Sequence, residues 1–351
     1  MNKEKQKPLL SLDGTKLLHH PERLSKWINQ ESIIPIYIAF SPSSLCNHKC
    51  SFCVYHYKKF EPIFFPFKRY TELVNEWSVL GVKSLFLAGD GEPLLHKNIS
   101  EMIEHTKKSG IDVAMNTNGV LIDEKRASVI VENLSWIRVS LNAGTPETYA
   151  KIHQTQKSDF DLVLKNLSLL VQEKKRLNSD ITIGVQTVLL DENAEEIERM
   201  ALLLKDIGVN YYSVKPFLKH PDTKWTTELE NKNKTIERLL ELNHLSNSDF
   251  TFNIREANFS ENFERNYKKC LSSEFMIEVD ARGDIYSCGP YIGKEEHRFG
   301  NLLDYSFETI WNSKECRERI SYVCNKVDVT KCMPFCRPNA INEDQEPANA
   351  C

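Results

Sequence analysis

Three cysteines, Cys46, Cys50 and Cys53, lie close together in the stretch Cys46-Asn-His-Lys-Cys50-Ser-Phe-Cys53. Thiolates at such short spacings converge on one face of a loop, and a cubane [4Fe–4S] cluster held by three of them keeps one iron open to an exogenous ligand. A structural zinc ion prefers four protein ligands instead. His48 is the fourth on offer, but it sits inside the tight loop, where tetrahedral geometry is poor. Seven further cysteines, Cys270, Cys288, Cys316, Cys324, Cys332, Cys336 and Cys351, occupy the last quarter of the chain. Cys270 precedes a predicted hairpin, Cys288 closes it, and Cys332 and Cys336 form a close pair. Together they make a complete four-thiolate set, suited to a second cluster or, on spacing alone, to zinc. Cys316 falls on a predicted helix and reads as a packed thiol.

Ten cysteines in 351 residues, with no export signal, are too many for idle packing, because a reducing cytosol offers them no structural disulfides. Metal ligation is the leading reading. Lys plus Arg is 45 and Asp plus Glu is 49, a formal charge of −4, and charged residues at 27% with hydrophobic residues at 41% describe a folded protein. A disulfide miniprotein and a disordered chain are both excluded. No apolar run is long enough to cross a bilayer and no apolar segment follows the N-terminal lysines, so a cytoplasmic protein with no membrane partner is expected. The acidic balance argues against nucleic acid as a partner. The aromatic and basic stretch from Tyr55 to Tyr70, with His56, Lys58 and Lys59, reads as a hydrophobic loop sealing the first cluster rather than a base-stacking surface.

These residues must be held by a scaffold, and the periodicity supplies one. Six strand-type runs, Ile33 to Phe40, Val82 to Gly89, Ile111 to Thr117, Trp136 to Asn142, Ile181 to Leu190 and Val209 to Phe217, alternate with amphipathic segments such as Asn98 to Ser109, Asp161 to Leu177 and Ala194 to Ile207. That alternation predicts βα units and a parallel sheet, whose strand carboxyl ends carry chemistry. Beyond about residue 246 the pattern changes to a hairpin, whose strands Glu274 to Asp280 and Asp284 to Cys288 flank a turn at Gly283, then to a helical region from Phe307 to Tyr322. The organisation predicted is an N-terminal extension over 1–32, a main domain over 33–245 and a smaller domain over 246–351.

The three-cysteine loop directly after the first strand, with Phe52 before the third cysteine, resembles the signature of the radical S-adenosylmethionine (SAM) superfamily. The resemblance covers about residues 33 to 217 and implies an α/β fold, a partial (β/α)6 TIM-type barrel. It further implies that the open iron chelates the amino and carboxylate groups of SAM, and that an electron from the cluster cleaves SAM to a 5′-deoxyadenosyl radical that abstracts hydrogen. An external electron donor such as flavodoxin or ferredoxin goes with that chemistry. Gly89-Asp90-Gly91-Glu92-Pro93 is similar to the family element that contacts the SAM amino group, which assigns Gly91 and Glu92, although Asp90 interrupts the usual glycine pair. Asn118 after the third strand, with Ser140 and Asn142 at the end of the fourth, resembles positions lining the ribose and methionine ends of SAM. Gln186 and Lys215 are polar residues in apolar strands; each either faces the barrel interior and touches SAM or substrate, Gln186 being counted with the SAM-binding residues, or is an exposed alternating position. Arg138 and Arg255 are suited to hold an anionic group, or are simply solvated. His153 and His220 receive no role.

The arrangement of Cys270, Cys288, Cys332 and Cys336, with Gly300-Asn301 and Ile310-Trp311 between the pairs, resembles SPASM and shortened twitch domains, small α+β units that carry auxiliary [4Fe–4S] clusters. One auxiliary cluster on these four cysteines is the first expectation; a second using Cys324 and Cys351 is short of ligands. Members of this architecture include aminocyclitol dehydrogenases, sugar epimerases and peptide maturases. Only about thirty polar residues precede Ile33, fewer than a leader-binding fold needs. The expectation is therefore hydrogen abstraction from a small-molecule substrate, a carbohydrate or aminocyclitol, with a peptide maturase as the alternative. The rival from another class is a non-catalytic iron–sulfur or zinc protein. The sequence alone selects no catalytic residue.

Overall fold

Strands form where β-branched and aromatic residues alternate between two buried faces, and in this chain both faces of most strands are covered. The computed structural model describes residues 19–55, 61–220, 229–260 and 263–345. Its strands are β1 (Tyr37–Phe40), β2 (Ser84–Leu87), β3 (Asp112–Thr117), β4 (Trp136–Ser140), β5 (Thr182–Leu189), β6 (Tyr211–Pro216), β7 (Thr251–Ile254), β8 (Met276–Val279), β9 (Asp284–Tyr286) and β10 (Arg298–Asn301). The helices are α1 (Pro21–Ile28), α2 (Phe67–Leu80), α3 (Ile99–Lys108), α4 (Glu124–Asn133), α5 (Pro146–His153), α6 (Ser158–Leu177), α7 (Ile197–Ile207), α8 (Lys232–Glu241), α9 (Phe307–Trp311), α10 (Lys314–Lys326) and α11 (Asn339–Gln345). All six expected strands are present. Each is somewhat shorter than the apolar run that encodes it, because the run's end residues turn into loops.

The strands build one sheet in the order β10-β9-β8-β1-β2-β3-β4-β5-β6-β7. From β8 through β7 every neighbouring pair is parallel, and β8-β9-β10 continue antiparallel. The sheet is thus continuous across residue 246, where sequence composition suggested a boundary. β7 extends the parallel sheet beyond β6, and β8 docks on the free edge of β1. Ile38, Phe40, Leu85, Leu87, Val113, Met115, Ile137 and Val139 point outward into a core shared with the crossover helices. Alternate residues point inward, where Ala39, Phe86 and Ala114 pack with Tyr37 and Trp136 into a small aromatic floor. Above that floor the interior turns polar. No helix among the described residues is long and apolar enough to cross a membrane.

Candidate active site

The loop after β1 carries the three N-terminal cysteines and is braced by the end of β2. A Cβ on Gly91 would fall 2.2 Å from the Ser43 carbonyl oxygen and 2.6 Å from that of Leu45, so only glycine lets the two backbones meet. The next residue fixes the contact, since the Glu92 N–H donates to the Leu45 carbonyl at 2.8 Å. Buried Glu92 then accepts hydrogen bonds from the Leu94 N–H (3.1 Å), the Thr117 hydroxyl (2.6 Å) and the Asn118 N–H (2.8 Å). Burial raises its pKa against these bonds. Glu92 therefore ties the ends of β2 and β3 to the cysteine loop. Asn118 continues the brace by donating from Nδ2 to Asn47 Oδ1 at 2.7 Å.

Burial pushes the Cys46 thiol up to about 12 and raises Cys50 and Cys53 as well; Cys53 and Cys46 add to the rise at Cys50. Cys53 also raises Cys46, while Asp90 adds to the burial that raises Cys53, so the three thiols share a small, acid-flanked volume. They hold negative charge only against a positive centre between them, and an iron–sulfur core meets that requirement.

His153 at the end of α5 completes this loop, and no local pattern in the sequence announces it. The Asn142 backbone N–H lies 3.2 Å from His153 Nε2 and can only donate, so Nε2 is the acceptor and the ring proton is assigned to Nδ1. Nδ1 stands 3.3 Å from Cys50 Sγ, to which it donates. The ring is stacked on Tyr149 with centroids 4.2 Å apart, and burial, followed by nearby His48, lowers its pKa to about 3. One donor atom each from His48, Cys50 and His153 lies within 4.8 Å of the others, a spacing that a metal ion also accepts. The Asn142 amide, read from sequence as facing SAM, is engaged here: Nδ2 lies 3.2 Å from His153 Nε2, and Oδ1 accepts the Val188 N–H at 2.7 Å.

Ser140, Gln186 and Ser213 share one register row across β4, β5 and β6. Gln186 and Ser213 are buried, and among the described residues neither Gln186 Nε2 nor Ser213 Oγ has a hydrogen-bond partner. Gly184, one row below, has no room for a Cβ, which would fall 2.0 Å from Cζ of the Tyr211 ring lying over it. The interior thus keeps a flat aromatic face beside unpaired polar atoms. His220 plays no part here and pairs with the Pro290 carbonyl at 2.8 Å.

The C-terminal cysteines gather separately. Cys270, Cys288, Cys332 and Cys336 line one cavity with Tyr291, His297 and Arg265. Burial raises the Cys288 thiol well above its usual value, and Cys270, Cys336 and Cys332 push it further. Around the rim the Tyr291 hydroxyl lies 3.2 Å from Cys332 Sγ, and Asn342 Nδ2 donates to Cys270 Sγ at 3.6 Å. Four cysteines meet in this cavity, against three in the first loop. Cys316 is buried in the main core as a packed thiol, and Cys324 is buried in a second core with Trp27, Ile33 and Phe275. Cys351, His56, Lys58 and Lys59 lie outside the described residues.

Residues 40–242 match the radical SAM superfamily, and residues 270–338 match SPASM, an iron–sulfur cluster-binding domain. The chain belongs to the radical SAM superfamily. As a radical SAM enzyme with a SPASM domain it uses a SAM-binding [4Fe–4S] cluster, SAM and auxiliary iron–sulfur chemistry. GTP 3′,8-cyclase of Chlorobaculum tepidum is 28% identical over 189 residues, 52% of this chain and 55% of that protein. Fe-coproporphyrin III synthase of Methanosarcina barkeri is 30% identical over 156 residues, 43% of this chain and 38% of that protein. The match thus spans about half the length of the cyclase and less of the synthase. In fold the radical SAM chain is similar to Streptococcus suis SuiB bound to S-adenosylmethionine, with a TM-score of 0.67 and 16% identity over 93% of this chain and 76% of that one. It is also similar to anSMEcpe with bound AdoMet, with a TM-score of 0.62 and 19% identity over 87% and 90% of the two chains.

Proposed function

We propose that Cys46, Cys50 and Cys53 hold the SAM-binding cluster, that Cys270, Cys288, Cys332 and Cys336 hold one auxiliary [4Fe–4S] cluster, and that the enzyme dehydrogenates a small polar substrate of the carbohydrate or aminocyclitol class. When bound, SAM and its cluster supply the hydrogen-abstracting radical and the auxiliary cluster supplies an electron acceptor. Everything else falls to the chain's own residues. Gly91, Glu92, Asn118 and Ser140 line the SAM side at the strand ends, Gln186 beside Ser140 stands between SAM and substrate, and Asn142 acts through His153. The unpaired atoms of Gln186 and Ser213 meet substrate hydroxyl groups, beside the flat face of the Tyr211 ring.

Dehydrogenation is favoured over epimerisation by the spare cysteines among the described residues: of the three thiols that could return a hydrogen atom, Cys316 and Cys324 are buried in apolar cores, and Cys351 lies outside the described residues. The observation that carries the reading is the gathering of three buried thiols in the loop after β1, braced backbone to backbone by Gly91 and Glu92 at the end of β2. A cytoplasmic flavodoxin or ferredoxin would deliver the electron.

The test is anaerobic reconstitution with iron and sulfide, reduction with dithionite and assay for 5′-deoxyadenosine. Wild type forms it, and Cys50→Ala forms at least about a hundredfold less. Wild-type protein that takes up zinc at the first loop, or that carries iron yet leaves SAM intact, is instead a non-catalytic metal protein, and the proposal falls.

A further inference from the structure

The barrel interior holds a surplus of positive charge that the SAM chemistry does not require. Arg138 of β4 is in register with Gly184 of β5 and, through it, with Tyr211 of β6. Lys215 lies further along β6, and Arg255 follows β7, its N–H donating to the Val214 carbonyl at 2.9 Å. Arg337 reaches in from the C-terminal segment and lays its guanidinium over the Phe86 and Tyr37 rings, 4.8 and 5.4 Å from their centroids, while Arg138 lies 5.5 Å from that of Trp136. Four cations from separate elements thus converge on one space.

They act on one another. Burial, reinforced by Arg138, Arg255 and Arg337, lowers the Lys215 ammonium to about 7. Arg138 falls to about 10, again through burial first, with Arg255 and Arg337 pushing the same way. No carboxylate forms an ion pair with Arg138, Lys215 or Arg255 among the described residues. The acidic neighbour is Glu278, which faces Arg337 and whose carboxyl burial nevertheless raises to about 7. Arg138 donates from Nε to Asn116 Oδ1 at 3.0 Å and also bonds the Tyr211 hydroxyl, both neutral partners. Withdrawing cations from water without counter-ions opposes folding, and such an arrangement marks a site whose partner arrives from outside. A second, independent observation agrees: Gln186 Nε2 and Ser213 Oγ, in the row between Arg138 and Lys215, are buried and unpartnered.

We propose that Arg138, Lys215 and Arg255, with Gln186 and Ser213 as neutral partners, form an oxyanion subsite that holds a phosphate or carboxylate group of the substrate. Guanidinium forks suit the paired oxygens of either group, and an interior shielded from bulk water strengthens the attraction. Anchored there, the rest of the substrate extends toward the cysteine loop. The subsite rests on the proposed function and sharpens its substrate class.

The test is calorimetric titration of anaerobically reconstituted holoprotein with inorganic pyrophosphate and with succinate, each with and without saturating SAM. One anion is expected to bind saturably, to keep its affinity in the presence of SAM, and to bind at least about tenfold more weakly to Lys215→Met and to Arg255→Gln. Preference for pyrophosphate identifies a phosphoryl group, and preference for succinate a carboxylate. Lys215→Met is expected to melt no lower than wild type, because it removes one of several mutually repelling charges. Absence of saturable binding, equal affinity in wild type and both variants, or displacement of the anion by SAM, which would assign the cations to the SAM carboxylate, each overturns the subsite. Formation of 5′-deoxyadenosine by the same wild-type sample separates the two failures: if it forms and no anion binds, the subsite alone is wrong; if it does not form, the proposed function fails first.

Discussion

The proton on His153 is fixed by its neighbours: a backbone N–H that can only donate occupies Nε2, which leaves Nδ1–H for Cys50. A hydrogen bond to a cluster thiolate withdraws electron density from sulfur and stabilises the reduced, more negative cluster, raising its potential. His153 is thus a positioning residue that acts through Cys50. His153→Phe keeps the ring stacked near Tyr149 and removes the donor. One such bond is worth about 1 kcal/mol, which for one electron is about 40 mV, so the variant's SAM cluster should be harder to reduce by that amount. An EPR-monitored redox titration reads this directly. A merely structural histidine would lower cluster content and leave the potential of the remaining clusters unchanged.

Loops after β1 and β2 meet backbone to backbone, and Gly91 is where the meeting is closest. Gly91→Ala would drive a methyl group into two carbonyl oxygens that have no room to retreat, since the Glu92 N–H and the Leu45 carbonyl are already bonded. Iron and sulfide per chain should then fall toward the content of the auxiliary site alone, while the melting temperature drops only modestly because the outer core is untouched. Iron analysis of the reconstituted variant checks this, and full cluster content would show that the loop yields. Legibility in the sequence divides at the same scale. Strand positions and the hairpin were readable because alternation is a local signal, and the short spacing of the cysteines announced that they would cluster. His153 was not, because its partner Cys50 is 103 residues away and a lone histidine at a helix end has many ordinary explanations. Gln186 and Lys215 stood out as polar residues in apolar strands, and Arg138 and Arg255 as groups suited to hold an anion, but their convergence with one another and with Arg337 exists only once the strands are assembled.

At the scale of the whole molecule the C-terminal unit is built into the barrel. β1 is bonded to β2 on one side and to β8 on the other, so removing the unit would bare a strand edge. Side chains add to the join. Trp311 Nε1–H donates to the Ile33 carbonyl at 2.7 Å, Arg69 Nε to that of Leu302 at 2.7 Å, and the Glu76 carboxylate of α2 accepts the Phe307 and Glu308 N–H groups at 3.1 and 2.7 Å. Glu76 thereby caps the start of α9 from outside the unit, with its charge on the positive end of that helix. Glu76→Ala should cost about 1 kcal/mol, a shift of about 2 °C for a chain of this size. Anaerobic calorimetry of the holoprotein should show that shift in a single transition, with the iron–sulfur absorbance of both sites bleaching together. Two transitions, with only the later-bleaching site insensitive to Glu76→Ala, would show instead that the barrel and the SPASM unit fold independently despite their common sheet.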